Sequence, residues 1–131
     1  MSFFERYFAA LDGPNPHSSL DLVAESVTFT IQWADGTDPS SRQFVGGRED
    51  LSTFIDLGDT RGWAHHVLSS GTADDVEFAL GETRWNDSGQ RIGTFLAVAQ
   101  LDDDGRMVKY MVARSPAIFF EAAERLDVAA D

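Results

Sequence analysis

Adjacent histidines at His65 and His66 are the chain's most direct offer of chemistry, because imidazole is the side chain that gains and loses a proton near neutral pH. They sit in Trp63-Ala64-His65-His66-Val67-Leu68-Ser69-Ser70, which reads as a strand, so one ring faces inward and the other outward. Periodicity alone does not choose between them. Asp12 stands at the end of an opening helical segment that also carries Tyr7, a phenol able to donate a hydrogen bond. Trp33, Phe44, Trp63 and Trp85 are candidates to line an apolar cavity for a flat, ring-shaped ligand. With no cysteine in the chain, thiolate nucleophiles, thiolate metal sites and disulfides are excluded. No phosphate-cradling glycine loop, serine-nucleophile motif or His-x-x-x-His pair occurs. Asp102-Asp103-Asp104 lacks calcium-loop spacing and reads as a solvated turn. Neither a metal nor an organic cofactor is expected.

The elements that must position these residues follow from capping signals and periodicity. Ser2-Phe3-Phe4-Glu5 is a capping box opening a first helix, which Gly13-Pro14 stops. Ser18 or Ser19 caps a second helix over Leu20, Leu22 and Val23. A third follows Gly46-Gly47 with Leu51, Phe54 and Ile55 inward and Gly58 at its close. Val27, Phe29, Ile31 and Trp33 alternate in a strand, as do Val76, Phe78 and Leu80; Glu82 and Arg84 on that face mark a pocket floor or, the favoured reading, the strand's emergence into solvent. Ile92 to Leu101 is apolar on both faces, and a last strand runs from Met107 to Ala113. Gly71-Thr72, Asn86-Asp87-Ser88-Gly89 and Asp102-Asp103-Asp104-Gly105 read as hairpin turns. Ser115-Pro116 is a helix-start signal.

At 131 residues, 43% of them hydrophobic, the chain makes one domain over 1–131. Helices followed by hairpin-linked strands predict an α+β fold: a curved antiparallel sheet wrapped as a cone on three N-terminal helices, plus a C-terminal helix. A net charge of −12 without a basic cluster argues against nucleic acid and anionic membrane surfaces. Apolar runs fall short of the roughly 20 residues that cross a bilayer. The N-terminus has no signal-peptide pattern, so a cytoplasmic protein is expected.

Three stretches, Arg6 to Gly13, Val45 to Leu51 and Leu101 to Val108, together with this element order, resemble the nuclear transport factor 2-like superfamily. That superfamily includes ketosteroid isomerase, scytalone dehydratase and the SnoaL-like polyketide cyclases. Similarity to ketosteroid isomerase implies a hydrogen-bond-donating role for Tyr7. That enzyme's two aspartates, however, correspond here to Thr30-Ile31 and Ala97, so steroid isomerisation by its mechanism is not expected. Similarity to the dehydratases and SnoaL-like proteins implies an acid-base role for His66 with Asp12 orienting it, while their second histidine is missing between Val76 and Trp85. The resemblance implies two functions. One is a cofactor-independent proton-transfer enzyme (cyclisation, isomerisation or dehydration) acting on a small apolar oxygenated ligand. The other is a non-catalytic ligand-binding or dimerisation domain. It also implies a homodimer through the outer face of the sheet.

Overall fold

A computed structural model describes residues 1–33, 42–57 and 62–121. The opening helix α1 spans Phe3–Leu11 and begins as its capping box dictates: Glu5 N–H donates to Ser2 Oγ at 3.3 Å, and Ser2 N–H to Glu5 Oε1 at 3.1 Å. Hydrogen bonding by the Ser2 backbone N–H, and then by the Ser2 hydroxyl, holds the Glu5 carboxyl below its ordinary range. Phe3, Phe4, Tyr7 and Phe8 recur at helical spacing and are all buried, making α1 the aromatic plug of the core.

The second helical segment departs from expectation. It is a 3-10 helix over Pro16–Leu22, and Val23 already belongs to strand β1 (Val23–Trp33). Proline at its start sets the first turn, but the β-branched Val23 is the C-cap in extended geometry, so no further helical turn forms. Strand β2 (Arg42–Gly46) pairs with β1, and α2 (Arg48–Leu57) buries Leu51 and Ile55. Gly58 lies outside the described residues.

Strands β3 (Trp63–Ala73), β4 (Val76–Trp85), β5 (Arg91–Leu101) and β6 (Met107–Ser115) complete one six-stranded sheet in the order β2-β1-β6-β5-β4-β3. The sheet is curved and mixed, not wholly antiparallel: β1 and β6 run parallel, with Phe29 opposite Tyr110 and Ile31 opposite Val112. A chain that makes its last strand beside its first closes the sheet centre this way, while each hairpin remains antiparallel. Bulges interrupt the register at Val67/Ser69, Thr83/Arg84 and Gln100/Leu101, bending the strands around α1.

Three local expectations are corrected. Gly71-Thr72 does not turn; β3 continues to Ala73, and the reversal falls at Asp74-Asp75, where Asp74 adopts a φ of 56° that aspartate tolerates. After Ser115-Pro116 no helix forms among the described residues, although Ala117 N–H donates to Ser115 Oγ at 3.2 Å as a capped helix start would. Glu82 does not emerge into solvent. Its side chain is wholly buried, with Arg84 Nε donating to Oε1 at 2.7 Å and Arg91 Nε 3.2 Å from Oε2. The stretch after β6 crosses nearby: Thr94 Oγ1 donates to the Ile118 carbonyl and Arg91 lies over the Phe119 ring.

Candidate active site

Residues Trp63, His65 and Val67 share the inner face of β3, and Phe8 of α1 lies against His65. The His65 side chain is only 2% exposed. Its ring stacks on Phe8 at 4.2 Å between centroids and 12° between planes, with the edges of Trp63 and Phe95 completing an aromatic collar. His66, one residue on, pairs across the sheet with Glu82 on the outer face and is exposed. The histidine facing Asp12 is therefore His65, and the assignment of that place to His66 is corrected. A one-residue slip along a strand exchanges the two faces, and two adjacent histidines hide such a slip.

Asp12 is the C-cap of α1, its own N–H bonded to the Phe8 carbonyl at 2.8 Å. A carboxylate there faces the negative end of the helix, an electrostatic cost. Two donors from one residue offset it. His65 N–H reaches Oδ2 at 2.7 Å, and His65 Nδ1 lies 3.0 Å from Oδ1. Because it lies past the last helical residue, Asp12 can turn to β3 while Tyr7, five residues earlier, faces the core.

The other imidazole nitrogen fixes the tautomer. Arg114 Nη2 stands 3.2 Å from His65 Nε2, and a guanidinium only donates. Nε2 therefore accepts, and the proton sits on Nδ1 facing Asp12. The Arg114 guanidinium also lies over the Trp63 ring, 5.1 Å from its centroid. Arg114, half-buried near the end of β6, was not singled out from the sequence. The period-two set Tyr110, Val112, Arg114 is the signal that places it on the inner face with two core residues.

His65 and Arg114 border an apolar cavity of about 220 Å³, with Tyr7, Tyr110, Leu51 and Phe54 among its walls. A second chamber of about 440 Å³ shares Ile31, Phe54, Trp63 and Arg114 with it and extends to Thr83 and Gly93. Burial raises the Tyr110 phenol well above its ordinary range; Arg114 opposes that and Asp12 adds to it. It stays a neutral donor. The sign of the linkage follows: a raised folded value leaves its stabilisation intact below the unfolded phenol's pKa near 10 and removes it as pH rises further. The melting temperature of the wild type should therefore fall more steeply above about pH 10 than that of Tyr110→Phe, measured across alkaline buffers.

The proposed ligand-lining residues divide. Trp63 borders both chambers. Phe44 is not among their walls; it packs between Phe29 and Phe54 and supports the latter from behind. Trp33 ends β1, and its side chain lies outside what is described. Thr30, Ile31 and Ala97, which the resemblance set against the isomerase's aspartates, carry no carboxylate. Ile31 and Ala97 are buried apolar positions, and Thr30 accepts a hydrogen bond from Gln43. No group of acidic and histidine side chains able to hold a metal occurs among the described residues.

This architecture matches solved proteins of one kind. A candidate isomerase of the SnoaL-like family from Agrobacterium tumefaciens superposes with a TM-score of 0.67 at 13% identity, over 86% of this chain and 93% of that one. The fold is nuclear transport factor 2-like. A nuclear transport factor 2-like protein of unknown function from Burkholderia pseudomallei has a TM-score of 0.61 at 18% identity, covering 98% of this chain and 95% of its own. A candidate polyketide cyclase from Sinorhizobium meliloti has a TM-score of 0.58 at 13% identity, over 86% and 94% of the two chains. No protein-family model matches the sequence, and no curated protein does. Among the described residues, no helix of this cone is long and apolar enough to cross a membrane.

Proposed function

We propose that this chain is a SnoaL-like enzyme that moves a proton on a small, mostly apolar oxygenated molecule, in a cyclisation, isomerisation or dehydration. The observation that carries this reading is the buried Asp12–His65 pair at the wall of an apolar cavity, with Nε2 turned inward. In this reading His65 is the acid-base, taking a proton at Nε2. Asp12 keeps Nδ1–H pointed away from the substrate and stabilises the imidazolium that forms. Tyr7 and Tyr110 supply phenols in the same chamber for an oxygen on which charge develops.

The reaction can be tested without knowing the natural substrate. Phenolic and polyketide-like 1,3-diketones, each carrying a carboxylate able to engage Arg114, that raise the melting temperature are incubated with the protein in heavy water, and deuterium entry at the activated carbon is followed by mass spectrometry. The wild type should accelerate exchange by about 10²–10⁴-fold, the range a positioned acid-base supplies. His65→Gln should lose that acceleration. Binding without exchange above the His65→Gln level refutes the enzyme reading.

One observation favours a second reading, a non-catalytic ligand-binding domain. In this structure the Nε2 lone pair is occupied by the Arg114 N–H. A lone pair so engaged cannot receive a substrate proton until the guanidinium moves.

We also propose that the chain forms a homodimer. On the outer face Phe78, Val98 and Met111 lie side by side across β4, β5 and β6, with Leu96 one row away. Leu96 and Met111 are 53% and 55% exposed in the single chain. A contiguous apolar patch of this kind is covered at low cost by a second copy. Light scattering should give about twice the 14.4 kDa chain mass, and Met111→Lys with Leu96→Glu should return it to one. A wild-type mass near 14.4 kDa excludes the dimer.

A further inference from the structure

The position of Arg114 says what kind of molecule the cavity takes. Its Nη2 donates to His65 Nε2 over 3.2 Å, and its guanidinium lies across the Trp63 ring, at the wall shared by the two chambers. A hydrogen bond from a cation to a neutral imidazole nitrogen is made to a weak acceptor compared with an oxyanion. The guanidinium fork matches the two oxygens of a carboxylate, and such charge-assisted pairs are about twice as strong as neutral ones. An apolar surround strengthens the difference, because little water competes. A neutral carbonyl offers no comparable gain and would leave the guanidinium on the histidine.

We propose that the cavity's ligand is a planar, mostly apolar carboxylic acid, and that its carboxylate draws Arg114 off His65 Nε2. Arg114 is then a binding residue with a second consequence. In the arrangement seen here it occupies the nitrogen that must act as base, and the arrival of the acid uncovers that nitrogen beside the ligand's apolar body. His65 keeps its Nδ1–H on Asp12 throughout. The inference rests on the cavity being the ligand site, and it accounts for how an occupied lone pair and an acid-base role coexist in one residue.

The test compares 2-naphthoate with its neutral isostere 2-naphthamide by titration calorimetry on the full chain. Naphthoate should bind roughly 10- to 100-fold more tightly, the range for a hydrogen bond to a charged group. In Arg114→Gln, checked as folded by its melting curve, the preference should shrink to about twofold or less. Arg114→Lys keeps the charge without the fork and should fall between. Nitrogen NMR of imidazole-labelled wild type supplies a readout that needs no variant: saturating naphthoate should shift the His65 Nε2 signal, and the amide should leave it in place. Equal binding of acid and amide overturns the proposal while leaving the cavity a ligand site. So does a preference that survives Arg114→Gln, or an Nε2 signal that naphthoate does not move. If neither compound binds, the anion proposal and the cavity reading fall together.

Discussion

Replacing His65 with alanine should cost about 3 kcal/mol of folding stability, whereas His66→Ala should change it by no more than about 0.5 kcal/mol. The two residues are neighbours with the same side chain, so the contrast isolates environment. At position 65 the substitution removes a ring stacked on Phe8 and edged by Phe95 and Trp63, leaving a void in the α1–β3 contact. It also strips Asp12 of its Nδ1 partner at the unfavourable end of a helix, while the bond from the backbone N–H of residue 65 remains. At position 66 the ring is exposed and nothing collapses. For a domain of this size the difference amounts to roughly 10 °C in melting temperature. Asp12→Ala should be strongly non-additive with His65→Ala, because each removes the same pair; a double-mutant cycle measures this directly. Equal losses at the two histidines, or a larger one at His66, would mean that β3 presents its other face to the core.

How much of this was legible depended on whether the signal was local. The capping box Ser2/Glu5, the α2 core positions Leu51 and Ile55, and the turns closed by Gly89 and Gly105 are each specified by a few consecutive residues, and they formed where expected. The cone itself followed from element order. The parallel pairing of β1 with β6 joins strands at opposite ends of the chain, and no local pattern encodes it. The site was half-legible for the same reason. Tyr7 and Trp63 line the cavity and Asp12 meets a histidine of β3, but alternation alone could not say which histidine faced inward. The large apolar residues Trp63 and Val67 point to one parity, Leu68 to the other. Resemblance to distant proteins does not fix a strand to within one residue. Arg114 escaped notice because one cation on a strand otherwise carrying Lys109 reads as a solvent position; only its register with Tyr110 and Val112 sets it inside. Glu82 failed in the opposite sense. Its burial depends on Arg91 from the next strand and on the chain beyond β6 as well as on Arg84, and only Arg84 stands on its own strand.

Gly81→Ala should be among the most damaging single substitutions in the chain, costing about 3 kcal/mol or more although it adds only one methyl group. Gly81 lies in β4 between Val67 of β3 and Phe95 of β5. A Cβ built there would stand 2.4 Å from Phe95 Cζ and 2.5 Å from the His66 carbonyl oxygen. The first contact is a ring already packed against Phe8 and His65, and the second is backbone, so neither can retreat cheaply. The missing side chain is what lets the Phe95 ring lean across the strand to the imidazole. Relief of the clash must therefore push Phe95 into His65 or lift β3 from β4 beside the Val67/Ser69 bulge. Either movement changes the distance from Nε2 to Arg114. Chemical denaturation should show the stability loss, and the His65 imidazole nitrogen signals should shift in any fraction that still folds. As a control, Gly71→Ala places its methyl where nothing lies within 4 Å and should stay within about 1 kcal/mol of wild type. If Gly81→Ala is as mild as Gly71→Ala, then Phe95 does not cross Gly81 in solution, and the aromatic collar that holds the catalytic candidate has a different arrangement.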